Sequence, residues 1–145
     1  MEICTIGFTQ TTAERFFGRL ADAGVQRLLD VRLNNTSQLA GFAKAADLPF
    51  FLHELVGATY EHQPLLAPTK DLLDEYKKRK GDWVAYEHDF IALMEHRRIY
   101  EVLNRADFER RTALLCSEAT AEQCHRRLVV EFLAERWPDI QGLHL

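Results

Sequence analysis

The chain reads as an α/β protein: a three-layer α/β sandwich around a mainly parallel central sheet of about five strands. Three observations predict this. Short apolar runs alternate with amphipathic helical stretches along all 145 residues. The first two runs, residues 2–7 and 25–31, flank one helix-patterned segment, and the whole spans about thirty residues, the length of a βαβ unit. The second run, Val-Gln-Arg-Leu-Leu-Asp-Val, is apolar without strict alternation, as a strand buried on both faces should be. The length fits one domain over residues 1–145.

Each element has its own signal. Residues 2–7 form the first strand. Thr11 and Glu14 make a capping box, because hydroxyl and carboxylate can each satisfy a free N–H. Ala13, Phe17, Leu20 and Ala21 follow at helical spacing, and Gly24 closes the helix. After the second strand, residues 32–44 form a polar loop that is long for a compact domain, and such loops often carry function. Asp47 caps a helix holding Phe51, Leu52 and Leu55, with Pro49 tolerated in its first turn and Gly57 at its end. Residues 58–63 are the third strand, broken by Pro64 and Pro68.

Residues 70–80 are helical and end in Lys77-Lys78-Arg79-Lys80. That run reads first as compensation of the helix dipole, with nucleic-acid contact as the rival. Asp82 caps a long helix whose stripe is Trp83, Tyr86, Phe90, Leu93 and Met94, read as core. Residues 111–117 are the fourth strand. Thr120 and Gln123 form another capping box for a last helix that buries Leu128, Phe132 and Leu133. Pro138 ends it, and residues 140–145 make a final strand. Local pattern does not encode strand order or oligomeric state.

Composition excludes several classes. Hydrophobic residues at 47% and charged residues at 28% rule out wholesale disorder. Lys plus Arg at 18 against Asp plus Glu at 22 gives a net charge of −4, which does not suit bulk phosphate neutralisation. No apolar run approaches the ~18–20 residues of a membrane span, so no membrane partner is expected. The start Met-Glu-Ile-Cys lacks signal-peptide character. Three cysteines, Cys4, Cys116 and Cys124, are too few for a disulfide framework and read as thiols in a reducing compartment. The expected location is cytoplasmic.

Ligands of open parallel sheets sit beyond the carboxyl ends of the strands. Those ends carry Thr9 after the first strand, Asp30, Arg32, Asn34 and Asn35 after the second, and His62 at the third. The fourth offers Cys116, Ser117 and Glu118, with Cys124, His125 and Arg126 one turn into the last helix. Cys116 precedes a helix N-terminus, whose partial positive charge favours a thiolate; its plain alternative is a buried structural cysteine. Cys124 is either core packing or a resolving thiol. His125 is a general base or a hydrogen-bonded structural histidine. Asp30 and Arg32 share a side of the strand and form either a structural ion pair or an anion site. Glu118 is an acid or base, or a loop carboxylate. Cys116, Cys124 and His125, with His62 as a fourth, are weighed as zinc ligands, but Cys-x7-Cys-His matches no compact zinc spacing.

Three segments carry a family resemblance: Leu29-Asp30-Val31-Arg32 continued by residues 37–42, Leu115-Cys116-Ser117-Glu118 with Cys124-His125-Arg126-Arg127, and Thr5-Ile6-Gly7. Together they resemble the DUF488 family, a domain of unknown function in small bacterial and archaeal proteins. The resemblance implies an α/β fold and a cysteine-bearing site. This chain departs from the family pattern at Phe8, Thr9 and Leu33-Asn34-Asn35. A weaker likeness to rhodanese domains rests on Asp-x-Arg after a strand and a cysteine at a strand end. The six residues after Cys116 hold neither Arg nor Gly, which argues against an anion cradle there.

The expected function is a small enzyme with a cysteine-centred site. Cys116, Cys124, His125 and Glu118 are its catalytic candidates. Thr9, Asp30, Arg32, Asn34 and Arg126 are the ligand-binding candidates. The expected ligand is a small anionic molecule or nucleotide, with no cofactor and no residue assigned to a metal. The rivals are a non-catalytic nucleotide or nucleic-acid binding module and a Cys/His metal-binding protein.

Overall fold

A computed structural model describes residues 1–36, 40–117 and 124–145. Among them, five strands, β1 (Glu2–Gly7), β2 (Arg27–Asp30), β3 (Thr59–His62), β4 (Thr112–Cys116) and β5 (Gln141–His144), form one sheet in the order β3-β2-β4-β1-β5. Every neighbouring pair is parallel, as the alternating pattern predicts. This order and the handedness of the crossovers together fix which face each helix covers. From β1 the chain steps to β2 and β3 in one direction, then returns to β4 and β5 in the other. Right-handed crossovers must therefore place their helices on opposite faces in the two halves.

They do. Helices α1 (Ala13–Asp22) and α2 (Leu48–Val56) cover one face, packing Phe16, Phe17, Leu20, Leu48 and Leu52 against Cys4, Ile6, Leu28 and Leu115. The other face meets α4 (Trp83–His96), the short α5 (Ile99–Val102) and α6 (His125–Arg136), with α3 (Lys70–Lys77) against α4. There Ile3, Leu29 and Leu114 meet Tyr86, Phe90, Met94, Leu128 and Phe132. Alternate residues of each central strand thus point to opposite layers, which explains its near-continuous apolar sequence. No helix among the described residues is long and apolar enough to cross a membrane.

Several boundaries differ from the sequence expectation. The cap of α1 is Thr12, whose side chain accepts from Arg15 N at 3.2 Å, rather than Thr11. The register of the buried stripe decides this: Phe16, Phe17 and Leu20 face the core, while Ala13 and Ala21 are exposed. Leu55 is exposed too, because α2 lies at the surface. Asp82 caps α4 as expected, accepting from Ala85 N at 3.3 Å. Residues 99–109 form α5 and a following 3-10 turn, which the sequence pattern did not announce. The Thr120/Gln123 cap lies outside the described residues. The α6 helix starts later than one turn before Cys124: Cys124 is its N-cap and His125 its first residue.

Candidate functional site

The two outward crossovers put the carboxyl ends of β1, β2 and β4 side by side. Gly7 pairs with Cys116 and Asp30 with Leu115. Beyond the strands the pairing continues, Val31 N donating to Leu115 O at 3.0 Å and Thr9 N to Ser117 O at 3.1 Å. This is the crevice at the topological switch point where open α/β sheets bind ligands. A cavity of about 330 Å³ opens there, within the size range of small-molecule sites.

Both sulfurs line it. Cys116 ends β4, Cys124 caps α6, and the two are joined as a disulfide rather than standing as the thiols expected from the sequence; among the described residues Cys4 alone is free. Each is almost fully buried, at 1% and 3% exposure, yet each borders the cavity. Arg126 is buried as well and donates from Nη1 to Cys116 Sγ at 3.3 Å. A guanidinium in that place offsets negative charge on the sulfur. His125 Nε2 lies 2.7 Å from the Val31 carbonyl oxygen. A carbonyl can only accept, so Nε2 carries the proton and the lone pair of the neutral ring belongs to Nδ1. Nδ1 faces Cys124 Sγ at 4.0 Å.

Arg32 forms another wall. Asp30 Oδ1 accepts from its Nε and Oδ2 from its Nη2, both at 2.8 Å, and Asp30 Oδ1 also accepts from Arg32 N at 3.1 Å. Tyr60 donates its hydroxyl to Asp30 Oδ2 at 2.6 Å, and Asn35 Nδ2 donates to Tyr60 at 3.2 Å. Burial alone would raise the Asp30 carboxyl, but hydrogen bonds from Arg32 and Tyr60 and the charge of Arg32 outweigh it and hold the group below the usual carboxylate range. Burial and the neighbouring Asp30 push Tyr60 up to about 12. Arg32 Nη1, buried, has no hydrogen-bond partner among the described residues. Such an atom is costly unless something polar meets it.

The opposite wall is aromatic. Trp83 and Tyr86 stack with centroids 5.1 Å apart at 20°, and Tyr76 lies 5.3 Å from Trp83 and 5.0 Å from Tyr86. All three line the cavity, with Lys77 beside them, its Nζ 5.4 Å from the Tyr76 ring centre. The loop carrying Pro68 closes the rim. Arg97 anchors it by donating to Leu65 O at 2.7 Å and Ala67 O at 2.6 Å.

The family model for a domain of unknown function, DUF488, matches residues 12–133. The chain belongs to the DUF488 family. The match takes in the Asp30–Arg32 segment, both rim cysteines, His125 and most of α6. No curated protein and no solved structure matches this DUF488 chain.

Of the residues expected at the site, Cys116, Cys124, His125, Arg32 and Asn34 line the cavity. Arg126 reaches it through Cys116. Asp30 is fully buried behind Arg32 and acts by holding it. Thr9 is exposed, and its hydroxyl donates to Ser117 O, bracing the β1 and β4 ends. Glu118 lies outside the described residues. His62 does not join the cysteines: its Nε2 donates to Arg32 O at 2.9 Å. Several lining residues were not among those expected at the site. Trp83 and Tyr86, expected in the core, pack there and border the cavity as well, and Lys77 belongs to the run expected to compensate the helix dipole. The signal that would have found them is interleaving: Tyr76-Lys77 and Trp83 flank one basic turn between two helices.

Proposed function

We propose that this DUF488 chain is a small thiol-dependent enzyme acting on an anionic molecule with a planar ring, of which a nucleotide is the simplest example. One observation carries the reading. Two sulfurs, a guanidinium and three aromatic rings border the same cavity. Arg32, held rigid by Asp30, supplies Nη1 to the anion. Tyr76 and Trp83 offer flat faces to a ring. In the reduced state Cys116 is the nucleophile and Cys124 the resolving thiol. The Cys116 thiolate attacks an electrophilic atom of the ligand, and the group bonded to that atom leaves with the electron pair of the bond that breaks. Cys124 then attacks Cys116 Sγ, the disulfide forms, and the ligand leaves with the electron pair of its bond to sulfur, reduced by two electrons. A low-molecular-weight thiol restores the dithiol. A reducing compartment such as the cytoplasm suits that cycle.

The test is protection from alkylation. Reduced protein, kept in a metal chelator, is treated with limiting iodoacetamide with and without adenosine monophosphate, and modified cysteines are mapped by mass spectrometry. Cys116 and Cys124 are expected to react in the folded protein, buried Cys4 on the other face of the sheet is not, and the nucleotide slows the reaction. Reaction only on unfolding, or rates indifferent to every ring-bearing phosphate tried, overturns the reading.

A further inference from the structure

We infer that the reduced form of this site binds one zinc ion through Cys116, Cys124 and His125. The inference needs no ligand and no turnover; it rests on the geometry of these three side chains. Their sulfur and ring-nitrogen atoms all lie within 4.8 Å of one another. A tetrahedral zinc with bonds of ~2.3 Å to sulfur and ~2.0–2.1 Å to nitrogen separates its ligand atoms by about 3.5–3.8 Å. The observed 4.0 Å between Cys124 Sγ and His125 Nδ1 is close to that spacing. The two sulfurs must separate, which cleavage of their bond permits.

The surroundings are those of a ligand set rather than of packing. A zinc-bound histidine commonly donates its other N–H to a carbonyl, which fixes tautomer and ring plane. His125 does this: Nε2 donates to Val31 O, and Nδ1 is the nitrogen turned toward Cys124. Arg126 Nη1, 3.3 Å from Cys116 Sγ, is placed to hydrogen-bond a metal-bound thiolate. Two thiolates and an imidazole form a borderline-soft set that suits zinc better than magnesium or calcium. All three side chains border the cavity, and no fourth ligand joins them among the described residues. A zinc held by three such side chains takes a water or a ligand group in its remaining position, the arrangement of catalytic rather than structural zinc.

The chemistry balances in two steps. The disulfide and two equivalents of a low-molecular-weight thiol give the Cys116 and Cys124 thiols and one equivalent of external disulfide. Zinc then binds both sulfurs with release of two protons. The oxidised pair has no thiolate to offer, so metal occupancy follows redox state.

The experiment uses cobalt(II) as a spectroscopic substitute, added to the full chain reduced by a phosphine and freed of excess reagent under nitrogen. The expected result is a thiolate-to-cobalt charge-transfer band with tetrahedral d–d bands, saturating at one metal per chain and abolished by one equivalent of zinc. Reoxidised wild type should show no band, which gives a control without any substitution. Cys4→Ser should match wild type. Cys116→Ser and Cys124→Ser should lose the charge-transfer intensity, and His125→Ala should bind about 10-fold more weakly or worse. Absence of the band in reduced wild type, its persistence after reoxidation, or its loss in Cys4→Ser overturns the inference. Because the alkylation test runs in chelator, nucleotide protection that persists while cobalt fails to bind removes the metal and leaves the proposed function standing.

Discussion

Arg32 grips Asp30 with two parallel hydrogen bonds of 2.8 Å, and neither side chain reaches solvent to any extent. This fork fixes the guanidinium of a cavity-lining residue and leaves its Nη1 without a hydrogen-bond partner among the described residues. Removing the carboxylate charge strands a buried cation. Asp30→Asn is therefore expected to lower unfolding free energy by about 3 kcal/mol, measured by urea denaturation at neutral pH. The acid behaviour has a definite sign. The folded-state pKa of Asp30 lies below its unfolded value near 3.9, so the pair's contribution is complete above that value. It is lost as pH falls through the folded value. Wild type should lose this increment on acidification, and Asp30→Asn should not.

Tyr60 behaves in the opposite sense. Its folded pKa of about 12 exceeds the ordinary value of 10, so its contribution is complete below pH 10 and declines as pH rises toward 12. Ultraviolet titration of the phenols should show a late component that Tyr60→Phe removes. The same substitution deletes the 2.6 Å bond to Asp30 and should cost about 1.5–3 kcal/mol at pH 7. An unchanged titration curve would mean that the phenol does not share the carboxylate.

Gly57 isolates a backbone effect. It ends α2 in the left-handed region at φ 74°, and its N–H returns to His53 O at 3.2 Å. A Cβ there meets nothing within 4 Å. Gly57→Ala should thus destabilise by about 1 kcal/mol through conformation alone, with no loss at the cavity. A much larger loss in a melting experiment would indicate packing that this open site does not have.

What the sequence revealed divides along physical lines. The layers were legible because Leu28-Leu29 and Ala113-Leu114-Leu115 cannot be satisfied by one buried face. Cys116, Cys124, His125 and Arg32 were legible because strand ends in parallel sheets share one rim. Strand order was not, since it depends on which helix covers which face. That Trp83 and Tyr86 also border the cavity was not legible, because an aromatic at helical spacing looks the same whether its ring meets a core alone or a core and the side of a cavity. The start of α6 was misplaced because a Thr-x-x-Gln signal precedes it. The actual cap is Cys124, a residue with little capping preference, held where its sulfur meets that of Cys116.

Trp83 offers a direct reading of occupancy. It borders the cavity beside Tyr76 and Tyr86, whereas Trp137 packs on Phe108 just past the C-terminal end of α6, about 18 Å of helix away from the Cys124 cap. Ring stacking is worth about 1–3 kcal/mol per base, so Trp83→Leu should weaken adenosine monophosphate binding by about 10-fold. The nucleotide should quench the fluorescence of wild type, while the signal remaining in Trp83→Leu, which comes from Trp137, should not respond. Arg32→Gln should weaken the phosphate-bearing nucleotide more than the neutral nucleoside, because the guanidinium meets the anion and not the ring. Equal losses for both would assign Arg32 to the architecture of the rim alone, acting through its fork with Asp30.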